Sequence, residues 1–358
     1  MTFREYLRDN IVYLDGAMGT LLQKNGLKPG EHPERMCLSH PEVVTRIHRD
    51  YFDAGSNVVC TNTFGANSLK FEEAELEQIV SAAIGCARAA AEQSSGGQHK
   101  FVALDIGPSG RLLKPLGDLD FEDAVEVFAR TVRLGARYGA DLIIIETMSD
   151  SFETKAALLA AKENSDLPVI VSCAYSEDGK LLTGASPEVM AAMLEGMGAD
   201  AIGANCSLGP RQLAPVIERL LDACSVPVIL KPNAGLPRVE NGETVFDITP
   251  SEFALTVADL IKQGVRVAGG CCGTSPEYIR LLTTAAAGIE PAPLTDKNLT
   301  VVASYSQAVY FGSEPLLIGE RINPTGKKRF KQALLDGDMD YILGEGVRQQ
   351  DKGVHILD

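Results

Sequence analysis

Basic side chains are in short supply in this 358-residue sequence. It has 33 lysine and arginine residues against 48 aspartate and glutamate residues, which gives a formal net charge of −15 at pH 7. An acidic surface repels phosphate groups, so the composition argues against nucleic acid and against an anionic membrane as partners. The hydrophobic fraction of 45% is nevertheless sufficient for a sizeable core.

Long apolar segments are also absent. No uninterrupted apolar run approaches the ~20 residues that a membrane-spanning helix needs. Charged residues, among them Arg4, Glu5 and Arg8, interrupt the first apolar positions, a pattern unlike that of a secretory signal. We therefore expect a cytoplasmic protein whose eight cysteines are mostly reduced. Cysteines that cluster in such a protein favour a zinc site or catalysis over disulfides.

Short apolar runs alternate with helical patterns along the first part of the chain. This alternation predicts a parallel sheet, and eight such units across about 280 residues are typical of a (β/α)₈ TIM barrel. A doubly wound sheet is the alternative, because periodicity does not show closure. The predicted strands are residues 11–14, 57–61, 101–106, 141–146, 169–173, 201–205, 226–230 and 265–268. Ser186-Pro187, Thr249-Pro250 and Ser275-Pro276 predict helix starts with a capping hydroxyl and proline in the first turn.

Polar residues stand at or just past the ends of these strands. In a barrel all such ends converge on one face, where active sites are built. We therefore expect carboxylates, cysteines, amides and a lysine to share one site. They are Asp15-Gly16, Asn62, Glu146, Ser172, Asn205-Cys206, Lys231, Asn233 and Gly270-Cys271-Cys272.

The cysteines predict a metal site. Cys206 follows the sixth predicted strand, and Cys271 and Cys272 follow the eighth between glycines that let the backbone leave strand geometry and keep side chains away from a bound ion. A structural zinc ribbon would show four ligands in short paired spacings, which this sequence lacks. Three thiolates would leave one position of a tetrahedral Zn²⁺ open. A strained disulfide, or a role as small buried hydrophobes, is the alternative for the adjacent pair.

A site with three thiolates suits one kind of chemistry. Its net charge of −1 is poor for generating hydroxide, but it can bind a substrate thiol in the open position and keep that thiol deprotonated. The expected reaction is alkylation of the thiol. In the free enzyme, water or the side-chain oxygen of Asn233 could occupy the open position.

Two carboxylates suit an amino-acid substrate. Asp15 and Glu146 could bind its ammonium group, and the backbone amides near Gly16 and Ala17 its carboxylate. The structural alternatives are an ordinary strand-ending turn at Asp15 and, for Glu146, a carboxylate paired with a barrel lysine or arginine.

Three other polar residues are candidates for the same face. Asn62 and Ser172 are further candidates for binding the substrate. Lys231 could be a Schiff-base lysine, as in barrel aldolases, or could have a structural or anion-contacting role.

Together these motifs resemble the homocysteine S-methyltransferase family over roughly residues 5–290. The motifs that carry the resemblance are Asp15-Gly16-Ala17-Met18-Gly19-Thr20, Asn62-Thr63-Phe64, Glu146-Thr147, Asn205-Cys206 and Gly269-Gly270-Cys271-Cys272-Gly273-Thr274. The resemblance implies that Cys206, Cys271 and Cys272 are zinc ligands and that Asp15 and Glu146 hold homocysteine.

The tail carries a second resemblance. Residues 291–314 read as a linker, and residues 315–358 as the truncated opening of a second α/β domain, in which a strand, two helices and a further strand follow one another. Residues 317–326 resemble the start of the pterin-binding domain of cobalamin-dependent methionine synthases, which betaine- and S-methylmethionine-dependent relatives lack. Glu320 and Asn323 match its first folate-contacting segment. We therefore expect a fragment, without the rest of the folate domain and without the cobalamin-binding module.

The implied reaction is direct methyl transfer. Homocysteine thiolate held by zinc attacks the methyl group of methylcobalamin, carried on a module absent from this chain, and releases methionine and reduced cobalamin. Methyltetrahydrofolate feeds the full-length enzyme. A bulky donor requires an exposed metal at an open barrel mouth. The alternatives are a family member that uses betaine or S-methylmethionine, a non-catalytic thiol- or zinc-binding barrel, and an aldolase acting through Lys231.

Overall fold

The computed structural model describes residues 1–236, 238–240 and 243–358. Its contacts divide the chain into two compact units, Met1–Lys297 and Asn298–Asp358. None of the helices among the described residues combines the length and the apolar character needed to cross a bilayer.

The first unit is built on eight parallel strands. They form one sheet in the order β1-β10-β7-β6-β5-β4-β3-β2. Leu14 and Val58 make a parallel bridge between the two outer strands, and the Asn57 N–H donates to the Tyr13 carbonyl at 2.6 Å, so the ring closes. The predicted (β/α)₈ barrel is confirmed, and the doubly wound alternative is wrong. The strands are β1 (Val12–Tyr13), β2 (Val58–Cys60), β3 (Phe101–Ile106), β4 (Leu142–Met148), β5 (Val169–Cys173), β6 (Ala201–Asn205), β7 (Val228–Lys231), the hairpin strands β8 (Arg238–Glu240) and β9 (Glu243–Val245), and β10 (Val265–Ala268).

Helices surround the barrel. They are α1 (Phe3–Asp9), α2 (Gly19–Lys24), a 3₁₀ turn (Pro33–Arg35), α3 (Met36–Ser39), α4 (Pro41–Asp53), α5 (Glu73–Gln93), α6 (Phe121–Arg137), α7 (Ser151–Asn164), α8 (Pro187–Gly196), α9 (Pro210–Ala223), α10 (Pro250–Gln263) and α11 (Pro276–Ala285).

The predicted helix starts are found, but only one of the three hydroxyls caps its helix. Pro187, Pro250 and Pro276 are the first residues of α8, α10 and α11. The Thr249 hydroxyl accepts from the Glu252 N–H at 3.3 Å. The Ser186 hydroxyl instead donates to the Glu188 carboxylate at 2.6 Å, a charge-assisted bond, and its oxygen makes no capping bond with the backbone. Ser275 makes no capping bond with its side chain.

The barrel interior is apolar at its amino end. Inward side chains from all eight strands form one buried cluster, and α1 covers that end with Phe3 and Leu7. Helix α1 begins with a capping box: the Thr2 hydroxyl accepts from the Glu5 N–H, and the Glu5 carboxylate accepts from the Thr2 N–H. Polar inward residues therefore lie toward the carboxyl ends of the strands.

The second unit contains two small sheets and two helices. Strands β11 (Val301–Ala303) and β12 (Ala308–Tyr310) are antiparallel, whereas β13 (Ile318–Gly319) and β14 (Ile356–Leu357) are parallel and are separated along the chain by α12 (Lys328–Asp336) and α13 (Met339–Gln350). Glu320 and Asn323 follow β13 and are exposed. Their assignment to folate binding stays a prediction.

His48 on α4 should make the stability of the barrel depend on pH. Its side chain is fully buried, neither ring nitrogen has a hydrogen-bond partner among the described residues, and burial lowers its pKa to about 3. Between that value and ~6.5 the unfolded chain binds a proton that the folded chain excludes, so the free energy of unfolding falls as the pH falls. Going from pH 7 to pH 5 should cost the wild type about 2 kcal/mol more than His48→Leu, measured by urea unfolding.

The exposed His40 provides the matched control for this experiment. His40→Leu should keep the wild-type pH dependence. The same pH dependence in His48→Leu and in the wild type would contradict the assignment.

Candidate active site

A cavity of about 240 Å³ opens at the carboxyl end of the barrel. Residues at or just past the ends of most barrel strands line it, among them Asp15, Asn62, Glu146, Lys231 and Cys271. The expected convergence of the strand ends thus brings carboxylates, a lysine, an amide and cysteines to one pocket.

Strand alternation explains the floor of this pocket. Successive side chains of a strand point to opposite faces, so positions two apart share a face. Ala103 and Ile144 belong to the apolar cluster inside the barrel, and Asp105 and Glu146 stand two residues further along the same strands. The same step on β7 leads from Ile229 to Lys231. One polar layer therefore lies on top of the apolar one.

Lys231 is paired within this layer. Its Nζ lies 2.6 Å from Glu146 Oε2 and 3.8 Å from Asp15 Oδ1, and all three side chains are less than a tenth exposed. Burial lowers the pKa of Lys231, but nearby Cys60, Glu146 and Asp15 outweigh burial and hold it well above its ordinary value. A protonated, ion-paired lysine is a poor nucleophile, which disfavours the Schiff-base alternative. Glu146 therefore has the barrel lysine partner that a purely structural role for this carboxylate would require.

Two other carboxylates are incompletely bonded. Asp15 Oδ2 accepts from the Cys60 N–H at 2.7 Å, but Asp15 Oδ1 and Asp105 Oδ1 are buried without a hydrogen bond to any described residue. Burial raises the pKa of Asp15 to about 6. Burial, followed by the charge of Glu146, raises the pKa of Asp105 well above its ordinary value. Asp105 is not among the residues singled out from the sequence, although a carboxylate inside an apolar strand was a signal for it.

The three cysteines at the strand ends meet at the mouth. Their sulfurs all lie within 4.8 Å of one another, and Cys206 Sγ is 3.9 Å from Cys272 Sγ. All three are free thiols, since a disulfide would need about 2.05 Å between sulfurs. Cys272 is exposed, whereas Cys206 and Cys271 are partly buried. This trio could hold a metal ion.

The end of β7 holds both cysteine segments. Strand β7 lies between β6 and β10 in the sheet, so the cysteines approach each other past its end. The Cys206 N–H donates to the Lys231 carbonyl at 3.0 Å, and the Cys271 N–H donates to the Pro232 carbonyl at 2.8 Å. The Cys272 carbonyl accepts from the Ala234 N–H at 2.9 Å. Three backbone hydrogen bonds therefore hold the segments that carry the sulfurs next to each other.

Asn205 supports a strained part of this rim. Thr147 and Cys206 have φ values of 63° and 59°, a left-handed conformation that is unusual for residues other than glycine. Asn205 Oδ1 accepts from the Thr147 N–H and from the Ser172 hydroxyl, each at 2.7 Å, and Asn205 Nδ2 donates to Thr147 Oγ1. Ser172 thus bonds to Asn205 and is not among the residues lining the cavity.

The glycines around the cysteines serve close packing. A Cβ on Gly269 would stand 2.7 Å from the Leu14 Cβ, and one on Gly270 would stand 2.4 Å from Thr274 Oγ1. Gly273 has a φ of 81° and turns the chain after the cysteines. The sequence predicts that these glycines leave room for an ion, whereas the neighbours of Gly269 and Gly270 are protein atoms at the end of β1 and in their own loop.

The other predicted site residues have these positions. Gly16, Ala17 and Asn62 line the cavity, although the Ala17 N–H already donates to Thr274 Oγ1 at 3.2 Å. Asn62 Nδ2 donates to the Pro33 carbonyl at 2.7 Å. Asn233 is buried, and its Oδ1 has no hydrogen-bond partner in the described part of the chain.

The fold and the site define a (β/α)₈ barrel with a thiol-rich pocket at its mouth. A family model described as "Homocysteine S-methyltransferase" matches residues 12–286, more than half of the chain. The chain therefore belongs to the homocysteine S-methyltransferase family, a family of methyltransferase enzymes. This match confirms the resemblance based on the cysteine motif.

Relatives match beyond the barrel as well. A protein named "Methionine synthase" from Mycobacterium leprae (strain TN) is 31% identical over 378 residues, covering 99% of this chain and 31% of that protein. The protein of the same name from Mycobacterium tuberculosis (strain ATCC 25618 / H37Rv) is 30% identical over 373 residues, with the same two coverages. The chain thus spans about a third of the length of these relatives.

A solved structure shares the fold. The metallated form of the homocysteine methyltransferase MmuM from Escherichia coli aligns with a TM-score of 0.64 and 23% identity, covering 77% of this chain and 96% of that one. At this identity the similarity shows the barrel fold alone.

Lys231→Met should lower the free energy of unfolding by about 3–5 kcal/mol, because it leaves Glu146 and Asp15 buried without their cation. Adding Glu146→Gln should restore part of the loss, since it removes one of the two unpaired charges. Urea unfolding of the four variants of this double-mutant cycle measures the coupling. Lys262→Met, which breaks an exposed pair with Asp259, is the control and should cost less than about 1 kcal/mol. Additive effects of the two pocket substitutions would contradict the pairing.

Proposed function

We propose that this chain binds zinc and L-homocysteine and presents the homocysteine sulfur for methylation, which gives methionine. The observation that carries the proposal is the trio Cys206, Cys271 and Cys272 at the edge of a pocket rich in carboxylates. Family membership supports the substrate, and the sulfur donors support the metal, because thiolates favour Zn²⁺ over hard cations such as Mg²⁺.

The residues fit a zinc ion. Two sulfurs that each lie 2.3 Å from a tetrahedral ion are about 3.8 Å apart, close to the 3.9 Å between Cys206 Sγ and Cys272 Sγ. Asn233 Oδ1 has no hydrogen-bond partner among the residues that the structure describes, which supports that residue as the fourth ligand in the absence of substrate. When bound, zinc supplies the positive charge that keeps a substrate thiol deprotonated at neutral pH.

The pocket supplies groups for the amino-acid end of the substrate. Asp15 and Glu146 offer negative charge for the ammonium group, with Asn62 and the backbone around Gly16 and Ala17 beside them. Lys231 keeps Glu146 in position. Ser172 acts from below through Asn205. An exposed Cys272 leaves the rim accessible to a methyl donor.

We propose methylcobalamin, carried on a separate module, as the methyl donor, with methyltetrahydrofolate feeding the full-length enzyme. The support is that the two relatives named methionine synthase match through 99% of this chain, including residues beyond the barrel. In this proposal residues 1–290 form the homocysteine- and zinc-binding barrel, residues 291–314 the linker and residues 315–358 the start of the pterin-binding domain. Glu320 and Asn323 then belong to a partial folate site.

Cys206→Ala and Cys272→Ala should each weaken zinc binding at least about 100-fold while the barrel stays folded, because a ligand is lost outside the core. Metal analysis and circular dichroism measure the two effects. Cys224→Ala, a buried cysteine that does not line the cavity, is the control and should keep its zinc. X-ray absorption at the zinc edge should show one additional sulfur neighbour after homocysteine is added. Unfolding of the two variants would mean a structural metal, and an unchanged spectrum would refute thiol coordination.

The donor can be tested directly. The zinc-loaded chain should form methionine from homocysteine with free methylcobalamin, and at least about tenfold more slowly with betaine or S-methylmethionine, because an exposed rim suits a bulky donor and only contacts with the donor in the transition state raise its rate. Cys272→Ala, assayed with each donor, measures the background. Preference for a small donor would favour the alternative within the family, and absence of zinc from reduced protein would favour a non-catalytic barrel.

A further inference from the structure

The polar layer of the pocket holds more carboxylates than cations. Asp15, Asp105 and Glu146 line the cavity, and Lys231 is the one lysine or arginine among its lining residues in the described part of the chain. The closest contact of Lys231 is with Glu146, at 2.6 Å, and its distance to Asp15 is 3.8 Å. Glu146 is thus largely neutralised by its own partner, whereas the other two carboxylates are not.

Asp105 is the less satisfied of these two. It is 6% exposed, and its Oδ1 is buried without a hydrogen bond to any described residue. Asp15, in contrast, accepts a hydrogen bond from the Cys60 N–H. A buried carboxylate without partners opposes folding, and an apolar side chain would have continued the strand at no such cost. The Asp105 carboxylate lines the cavity, so a ligand that enters the cavity can supply the missing hydrogen-bond donor.

The carboxylates and the cysteines lie on different parts of the cavity wall. Strand β3 lies next to β2 and β4, so Asp105 stands between the Asp15–Cys60 contact and Glu146. The cysteines lie at the rim, on segments held by β7 across the barrel. A ligand with a thiol at one end and a cation at the other would place its sulfur at the rim and its cation on the layer that contains Asp105.

We propose that Asp105 is a specificity-determining residue that accepts a hydrogen bond from the ammonium group of an amino-acid thiol, together with Asp15. This inference rests on the proposed function and deepens it, because it states which feature of the substrate the pocket selects. Glu146, whose charge is already paired with Lys231, then contributes less to this contact than Asp105 and Asp15 do. Thiols that have the same carbon chain and carboxylate but no amino group should bind without help from Asp105.

The charges of the free pocket agree with this role. Burial and the charge of Glu146 raise the pKa of Asp105 above its ordinary value. An entering ammonium group favours the ionised form, because an opposite charge within hydrogen-bonding distance stabilises the carboxylate. The ammonium group of the ligand thus supplies the positive charge that Asp105 lacks in the protein alone.

A two-ligand experiment tests the proposal. Isothermal titration calorimetry on the zinc-loaded full chain compares L-homocysteine with 4-mercaptobutanoate, which lacks the amino group. Asp105→Asn should weaken homocysteine binding about 10- to 100-fold, because it replaces a charged acceptor with a neutral one of the same shape, and should change 4-mercaptobutanoate binding less than about twofold. Binding of 4-mercaptobutanoate also reports that the variant is folded and metal-loaded.

Glu153→Gln is the matched control. Glu153 is an equally buried carboxylate that accepts from the Ser109 N–H at 2.8 Å and does not line the cavity. This variant should leave the ratio of the two affinities unchanged. Equal weakening of both thiols by Asp105→Asn, or no weakening of either, would overturn the role of Asp105 alone. Failure of the wild type to bind homocysteine would overturn the proposed function, and this inference with it.

Discussion

The site depends on the backbone at the end of β7. Two carbonyls, of Lys231 and Pro232, accept hydrogen bonds from Cys206 on one side and Cys271 on the other. These bonds are possible because β7 lies between β6 and β10 in a closed parallel sheet. The same strand sends the Lys231 side chain inward to the carboxylates. One strand end therefore sets both the spacing of the sulfurs and the charge of the pocket floor.

Burial of charge shapes the rest of the pocket. Lys231 and Glu146 form an ion pair in the polar layer, directly above the apolar cluster of the barrel interior. Because both charges are buried, each offsets part of the desolvation cost of the other. Around them, at Asp15, Asp105 and Asn233, are buried oxygens that have no hydrogen bond to any residue described in the structure. Thr147 and Cys206, at neighbouring strand ends, have strained left-handed backbone conformations. The Asn205 side chain offsets part of this strain through its hydrogen bond with the Thr147 N–H. These features oppose stability and are concentrated at the strand ends, where ligands bind in this fold.

Much of this organisation is predictable from the sequence, for identifiable reasons. Alternation of apolar runs predicts eight strands because parallel strands are buried on both faces, and proline after a hydroxyl residue predicts helix starts at Pro187, Pro250 and Pro276. The meeting of Cys206 with Cys271 and Cys272 follows from convergence of the strand ends.

Side-chain partners are harder to predict. The Lys231–Glu146 pair crosses the barrel between residues far apart in the chain, and no local pattern encodes that distance. The Ser186 hydroxyl donates to the Glu188 carboxylate and makes no capping bond, and this outcome depends on a side-chain rotamer. The inward direction of Asp105 is predictable from strand alternation, because Phe101 and Ala103 share its face. A single polar residue within an apolar strand is nevertheless a weak signal for a site.

The apolar cluster that closes the amino end of the barrel also restricts how ligands reach the site. Because α1 and the interior cluster fill that end, we expect small molecules to reach the cavity from the rim where the sulfurs lie. A donor carried on a large module would cover the same opening. Under the proposed chemistry the amino acid would therefore have to enter before the donor docks, and the methylated product would have to wait until the donor leaves. Under the proposed chemistry, sharing of this rim by substrate and donor would impose an order of events on the reaction cycle.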